Sequence, residues 1–201
     1  MARRYIRGEQ LVGLKLGFTS RAKMEQMGIH DMIWGRLTDK MHYASGDNLT
    51  KSNFIHPRAE PEIAFLVSKQ INETITLENA KEYVDSVAVA IEIIDSRYQN
   101  FKFSLEDVVA DNCSSTGFVL GEWMPVDTKI QDINMSLSID GVVINEGNSN
   151  AILGNPWESF VNAARLAQAN GEILSEGSIV LAGAATPVSY THLTLPTTPY
   201  V

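Results

Sequence analysis

The sequence contains very little cysteine and no long apolar run. Cys113 is the single cysteine among 201 residues, which excludes an internal disulfide framework and fits a reducing compartment. No apolar stretch reaches the roughly 18 residues that a membrane-spanning helix requires. Residues 1–8 are rich in arginine and lack the apolar region of a signal peptide. These absences predict a cytoplasmic protein.

Basic charge and histidine are also scarce. Lys and Arg number 16 against 24 Asp and Glu, and no basic cluster suggests a surface for nucleic acid. The four histidines, at positions 30, 42, 56 and 192, lack the spacing of zinc ligands. Neither a glycine-rich phosphate loop nor a dinucleotide-binding fingerprint is present. The sequence therefore argues against nucleic acid, nucleotides and zinc.

Short strands with interspersed helices make up most of the chain. Apolar patterns predict strands at residues 11–18, 60–68, 87–94, 118–120, 133–139, 142–145 and 177–181. The Asp140-Gly141 pair predicts a hairpin turn. Helices are expected after Ser20, after Thr76 and over residues 156–169, and residues 30–57 are expected to be rich in loops. The prediction is an α+β domain built on a mixed sheet or roll.

Two glutamates open the strand predicted at residues 60–68. Side chains at positions i and i+2 of a strand share one face, so Glu60 and Glu62 point the same way. Two such charges about 4 Å apart repel by about 4 kcal/mol at an effective dielectric constant of about 20. The pair is either solvated at the mouth of the strand or bound to a cation, and these two residues alone favour neither.

Glu92 lies inside the apolar run of residues 87–94. An isolated ionised carboxylate is very costly to bury, so Glu92 requires a cation, a salt bridge to Lys15 or Arg97, or protonation. Carboxylates without His or Cys suit a hard divalent ion such as Mg²⁺ or Mn²⁺. Together with the pair at 60 and 62, Glu92 predicts a divalent-cation site.

Lys15 lies between two glycines on one face of the first predicted strand. Gly13 and Gly17 predict an open cleft around the ammonium group, with room for a ligand. In such a cleft the pKa of a lysine can fall far enough for proton transfer near neutral pH. The alternative is a lysine that protects the edge of the sheet. The paired glycines favour the functional interpretation.

Small polar residues form the segment 111–117, DNCSSTG. Such residues can orient a carboxylate through hydrogen bonds, although runs of this kind are usually turns. Cys113 has no histidine nearby in sequence and is interpreted as a small packed residue, not a nucleophile.

The motifs GLKLGFTS at 13–20, HPRAEPEIAF at 56–65 and DNCSS at 111–115 resemble those of the fumarylacetoacetate hydrolase-like superfamily, in its hydratase/decarboxylase branch of aromatic meta-cleavage pathways. Within that branch, IDSRYQNFKF at 94–103 is more similar to the decarboxylases than to the hydratases. The resemblance implies Mg²⁺, or Mn²⁺ in its place, bound by Glu60, Glu62 and Glu92. It also implies a catalytic Lys15 and substrate contacts through Thr19, Ser20, Asp111, Asn112 and Ser114.

The implied reaction is decarboxylation of 2-oxo-3-hexenedioate to 2-hydroxypenta-2,4-dienoate. Hydration of 2-hydroxypentadienoate is the alternative, and hydrolysis of an acylpyruvate or an inactive scaffold subunit are further ones. The hydratases carry an Asp where this chain has Ile33, which favours decarboxylation. Gly117 and Asn155 stand where Arg and His are usual in relatives. The resemblance implies a homo-oligomer, in complex with the partner hydratase or decarboxylase of the pathway.

The expected organisation is one catalytic domain over residues 1–187, truncated at both ends relative to the family. Residues 188–201 contain two prolines and no helical period after an ordinary strand, and are interpreted as a non-native tail.

Overall fold

The computed structural model describes residues 1–21, 24–25 and 31–186. The strands are Leu11–Gly17 (β1), Ile33–Thr38 (β2), His42–Tyr43 (β3), Arg58–Val67 (β4), Val84–Ile94 (β5), Ser115–Leu120 (β6), Met124–Pro125 (β7), Asn134–Ile139 (β8), Val142–Asn148 (β9) and Ile179–Ala184 (β10). The fully described α-helices are Ala2–Ile6 (α1), Leu105–Ala110 (α2) and Pro156–Ala169 (α3). The predicted tail and most of the helix expected after Ser20 lie outside the described residues.

Eight strands form one mixed sheet. Its order is β2-β1-β10-β4-β5-β6-β3, with β7 paired to β5. The β1–β10 and β3–β6 pairs are parallel and the other pairs in this sheet are antiparallel. Strands β8 and β9 form a separate hairpin. The predicted α+β class with a mixed sheet is confirmed.

One face of β4 and β5 packs against α3. Ile63, Phe65 and Val87 belong to the largest apolar cluster, which also contains Phe160 of α3. The ring centroids of Phe65 and Phe160 are 5.0 Å apart. Full burial of a large apolar side chain contributes about 1.5–3 kcal/mol, so this face anchors the two strands.

The opposite face of the same two strands carries smaller side chains. Ala64 and Ala88 lie opposite each other and pack with Leu37 and Phe118 in a second cluster. Strand alternation puts the glutamates of β4 and β5 on this face. The sheet therefore supports the candidate site from behind with a rigid apolar layer.

Several predicted elements are confirmed and two are wrong. Helix α3 and the β8–β9 hairpin occur as predicted. The helix expected after Thr76 is only a 3₁₀ turn at Ala80–Tyr83, because the chain from Val84 onward pairs with β4 instead. The loop-rich stretch contains β2, which pairs along its length with β1. Gly35 within β2 weakens the apolar pattern that would indicate a strand.

None of the helices in the described ranges is long and apolar enough to cross a membrane.

Candidate metal centre and lysine

Three glutamates on adjacent strands converge at the candidate site. Glu60 and Glu62 lie on β4, and Glu92 lies directly opposite Glu60 on β5. One carboxylate oxygen from each lies within 4.8 Å of the others, and all three residues are buried. The structure therefore brings together the carboxylates that sequence reasoning singled out, by strand alternation and by the register of one antiparallel pair.

The carboxylate oxygens of this cluster are only partly satisfied. The backbone N–H of Gly183 donates to Glu62 Oε2 at 2.8 Å. Glu62 Oε1 and Glu92 Oε1 are buried and have no hydrogen-bond partner among the described residues. A buried polar atom without a partner is costly, and carboxylate oxygens are the ligands that hard divalent cations prefer. The donor set and its unpartnered oxygens fit such a cation.

Burial is the main influence on the protonation of Glu62. It raises the pKa of that carboxyl well above its ordinary value, and the neighbouring charge of Glu92 raises it further. The ammonium of Lys15 acts in the opposite direction. The cluster thus concentrates negative charge in a dry setting, where a bound cation would stabilise the ionised form.

Lys15 lies against the same carboxylates. Its Nζ is 2.8 Å from Glu92 Oε2, in an ion pair without hydrogen-bond geometry, and donates to the Cys113 carbonyl at 3.4 Å. Burial lowers the pKa of this lysine, but Glu92 and Glu60 raise it more, so the net shift is upward. The expectation of a lowered pKa is wrong because the nearby carboxylates outweigh burial.

The glycines beside Lys15 have a different structural role from the one predicted. A Cβ on Gly13 would lie 1.9 Å from the carbonyl oxygen of Ile179 on β10, and one on Gly17 would lie 3.0 Å from Ile33 Cγ1. The glycines allow neighbouring protein atoms to approach β1 closely. They do not open a cleft for a ligand, so this part of the Lys15 argument is wrong.

Thr19 and Ser20 follow β1 toward the cluster. Thr19 is buried, and a Cβ on Gly183 would lie 2.2 Å from Thr19 Oγ1. Gly183 has φ +105, and its backbone N–H donates to Glu62. Gly183 therefore lies between Thr19 and the carboxylates. Ser20 is half-buried beside it.

The remaining predicted contacts lie in the segment after α2. The Asp111 carboxylate is paired with the guanidinium of Arg97 and accepts the Arg97 N–H at 3.0 Å. The Asn112 amide bonds the backbone of Arg36 in both directions. Ser114 Oγ is buried without a partner among the described residues. Only Ser114 of these three retains an unused polar group, and Arg97 pairs with Asp111, not with Glu92.

Two functional groups of the site are backbone groups, the N–H of Gly183 and the carbonyl of Cys113. Residue type does not indicate which backbone group will face a site, although a glycine inside an apolar strand signals a close approach. Burial raises the pKa of the Cys113 thiol to about 11, and its S–H donates to the Trp34 carbonyl at 3.1 Å. The interpretation of Cys113 as a packed residue is confirmed.

A family comparison matches this geometry over most of the chain. The model for the fumarylacetoacetate (FAA) hydrolase C-terminal family matches residues 18–197. The chain belongs to this family. The resemblance inferred from the motifs is thereby confirmed, and the mixed sheet with interspersed helices is the fold of the FAA hydrolase C-terminal family.

Within the FAA hydrolase family, a 4-oxalocrotonate decarboxylase from Pseudomonas sp is 52% identical over 186 residues, covering 92% of this chain and 73% of the relative. A 2-keto-4-pentenoate hydratase from Burkholderia vietnamiensis is 35% identical over 185 residues, covering 90% and 70%. The solved 4-oxalocrotonate decarboxylase from Pseudomonas putida G7, complexed with magnesium and adipate, superimposes with a TM-score of 0.88 at 35% identity, covering 93% of this chain and 72% of that chain.

Proposed function

We propose that this protein is a lyase that decarboxylates 2-oxo-3-hexenedioate to 2-hydroxypenta-2,4-dienoate. The observation that carries the proposal is the buried cluster of Glu60, Glu62 and Glu92 with Lys15 in contact with it. The 52% identity to a 4-oxalocrotonate decarboxylase supports this substrate among the 2-oxo acids. Catabolism of aromatic compounds is the proposed setting of this reaction.

Mg²⁺ is the proposed ion of the three glutamates, with Mn²⁺ as a substitute. The unpartnered oxygens of Glu62 and Glu92 are available to it, and a solved relative is complexed with magnesium. When bound, such an ion supplies Lewis-acid stabilisation of the negative charge that develops on the 2-oxo group.

Lys15 is the proposed proton-handling residue. Decarboxylation breaks the carbon–carbon bond to the carboxylate farthest from the 2-oxo group. CO₂ leaves, and the electron pair of the broken bond moves through the conjugated double bond to the 2-oxo oxygen. A proton on that oxygen then gives the enol hydroxyl group of 2-hydroxypenta-2,4-dienoate, which keeps its one carboxylate, and Lys15 Nζ can donate this proton from its buried position. Burial excludes water, which strengthens the attraction between the ammonium and the developing charge. Thr19, Ser20 and Ser114 are the proposed substrate contacts, with Asp111 and Asn112 behind them.

Hydration of 2-hydroxypentadienoate is a second candidate because hydratases are 33–36% identical to this chain. Addition of water requires an acid near the reacting carbon in addition to the stabilised enolate. Ile33, at the position where the family resemblance implies an Asp in the hydratases, packs in an apolar cluster with Val108 and Cys113. An apolar residue at that place favours decarboxylation over hydration.

The setting of the enzyme belongs to the same proposal. Residues 1–187 would form the catalytic domain. A cytoplasmic homo-oligomer is proposed, in complex with the hydratase that consumes the dienoate product.

A product assay tests the proposed reaction. The protein is incubated with Mg²⁺ and, separately, with 2-oxo-3-hexenedioate and 2-hydroxypenta-2,4-dienoate, and CO₂ release and dienoate consumption are measured. We expect CO₂ release from 2-oxo-3-hexenedioate to be faster than consumption of 2-hydroxypenta-2,4-dienoate. Faster consumption of the second substrate would identify a hydratase. Calorimetric binding of Mg²⁺ and oxalate without turnover of either substrate would contradict catalysis and indicate a binding subunit.

A further inference from the structure

The segment after α2 contains three consecutive residues in the left-handed region. Asn112, Cys113 and Ser114 have φ values of 53, 54 and 58. This conformation is sterically unfavourable for residues with a Cβ, and it usually occurs at single positions. Three in succession require surrounding contacts that hold them, and such strain is concentrated at functional sites.

The contacts that hold this left-handed turn come from β2. Asn112 Oδ1 accepts the Arg36 N–H at 2.8 Å, and Asn112 Nδ2 donates to the Arg36 carbonyl at 3.0 Å. The Cys113 S–H donates to the Trp34 carbonyl. Gly35 lies between Trp34 and Arg36 on β2, and a Cβ at this position would be 2.6 Å from the Asn112 carbonyl oxygen. The asparagine amide thus docks the turn on β2, and a glycine makes room for it.

The turn is docked directly above the strand position that faces Lys15. Gly35 of β2 lies opposite Lys15 of β1 in the antiparallel register. From this position the Cys113 carbonyl accepts from Lys15 Nζ at 3.4 Å, while Glu92 Oε2 lies 2.8 Å from the same nitrogen. An ammonium carries three N–H donors, and the hydrogen bond to the Cys113 carbonyl uses one of them, so donors remain for a substrate. The carbonyl and the carboxylate together define where the ammonium lies.

We propose that Asn112 is a positioning residue, which holds Lys15 in place through the Cys113 carbonyl and does not contact the substrate. Each end of its amide makes a hydrogen bond to the backbone of Arg36, which fixes the orientation of the amide toward β2. The effect on turnover rests on the proposed function of Lys15. The effect on the position of the ammonium is independent of that proposed function.

The first test is independent of activity. In the ¹⁵N-labelled protein, nuclear magnetic resonance near neutral pH detects ammonium groups that are protected from exchange with water. We expect a protected Lys15 signal, identified by its loss in Lys15→Ala, which disappears or shifts in Asn112→Ala. Thr116→Ala removes a side chain in the same segment that, among the described residues, makes its hydrogen bond to the Ser114 carbonyl, and it should preserve the signal. An unchanged Lys15 signal in Asn112→Ala would overturn the proposal.

The second test is a double-mutant cycle on turnover with 2-oxo-3-hexenedioate and Mg²⁺. A catalytic group misplaced by about 1 Å can lose about 100-fold in rate, so we expect kcat of Asn112→Ala to fall by about that factor with little change in KM. In a Lys15→Ala background the same substitution should have almost no further effect on kcat. Full additivity, or a change in KM alone, would overturn the proposal in favour of direct substrate contact.

Two further variants keep the tests decisive if Asn112→Ala folds poorly. Asn112→Gly relieves the unfavourable φ but removes the amide, and it should lose the Lys15 signal; retention would show that backbone conformation alone suffices and would overturn the proposal. Asn112→Asp keeps the acceptor for the Arg36 N–H and loses the donor, so an intermediate effect is expected. If the parent protein turns over no substrate, the proposed function fails while the resonance experiment still decides the role of Asn112.

Discussion

The charged groups inside the sheet differ from those on its surface in how completely they are satisfied. In the interior, Glu62 and Glu92 are fully buried and retain unpartnered oxygens, and the Lys15 ammonium lies 2.8 Å from Glu92 Oε2. On the surface, the Arg165 guanidinium makes two hydrogen bonds to the Asp31 carboxylate at 3.1 and 2.7 Å, and both side chains are about half exposed. The surface pair is complete and the interior cluster is not.

This difference separates stability from function. Each charge of an exposed ion pair is balanced by the other charge and by water, and the pair contributes little to the free energy of unfolding. Buried charges with unused oxygens lower stability unless a ligand completes them. The interior cluster is therefore explained by what it binds, and changes within it should affect activity far more than changes to the surface pair.

The largest expected effect follows from removing one interior charge. Glu62→Gln keeps the shape of the side chain and an oxygen for the Gly183 N–H, but removes a carboxylate ligand. Loss of several kcal/mol of charge stabilisation corresponds to roughly a thousandfold or greater loss of turnover. Divalent-ion binding, measured by calorimetry, should be lost as well, while the fold persists.

The matched control for that change is Glu78→Gln, which removes the charge of an exposed glutamate. It should leave both activity and ion binding at the level of the parent protein. Mg²⁺-dependent turnover retained in Glu62→Gln would show that the metal assignment is wrong.

Removal of the interior ammonium should have the next largest effect. Lys15→Ala is expected to lower kcat by about 100-fold or more, the usual contribution of a positioned proton donor. Mg²⁺ affinity should change much less, because the three carboxylates remain. Steady-state kinetics and calorimetry measure the two effects, and the exposed Lys129→Ala serves as control. Equal losses of turnover and affinity would indicate a structural lysine.

Completion of the interior cluster by its ligand should be visible as stability. An ion that binds only the folded state at about 100 times its Kd stabilises by about 2.7 kcal/mol. We expect thermal unfolding of the parent protein to move to higher temperature with Mg²⁺, and the Glu62→Gln variant not to respond. An equal response in that variant would place the ion elsewhere.

The interior cluster could be predicted from sequence because strand periodicity determines it. Glu60 and Glu62 share a face by alternation, and the apolar neighbours of Glu92 require that it be buried. Strand periodicity does not predict the antiparallel register that brings Glu60 opposite Glu92. Its local cause is the pairing of two long strands whose apolar faces must coincide.

The rest of the site depends on contacts between distant segments. The Cys113 carbonyl that contacts Lys15 belongs to a turn whose Asn112 binds the backbone of β2, a strand that was expected to be loop. Gly13 was interpreted as space for a ligand, whereas the structure uses it for the close approach of β10. A glycine indicates that something approaches, and only the tertiary structure identifies what.

The smallest expected effect lies in the surface pair, which tests the other side of the comparison. Hydrogen bonds from Arg165 hold the pKa of Asp31 below its ordinary value, with burial acting in the opposite direction. A group with a lowered folded-state pKa contributes stability above its unfolded pKa, and that stability is lost as the pH falls through the folded value. Because both side chains are about half exposed, the contribution should be about 0.5 kcal/mol or less. Urea unfolding of Arg165→Ala should show this small loss at pH 7 and a still smaller one near pH 3, where Asp31 is protonated in the unfolded chain. A loss of several kcal/mol would mean that the pair supports the fold as strongly as a buried interaction and that surface and interior do not differ as described. A loss independent of pH would mean that the Asp31 charge is not its source.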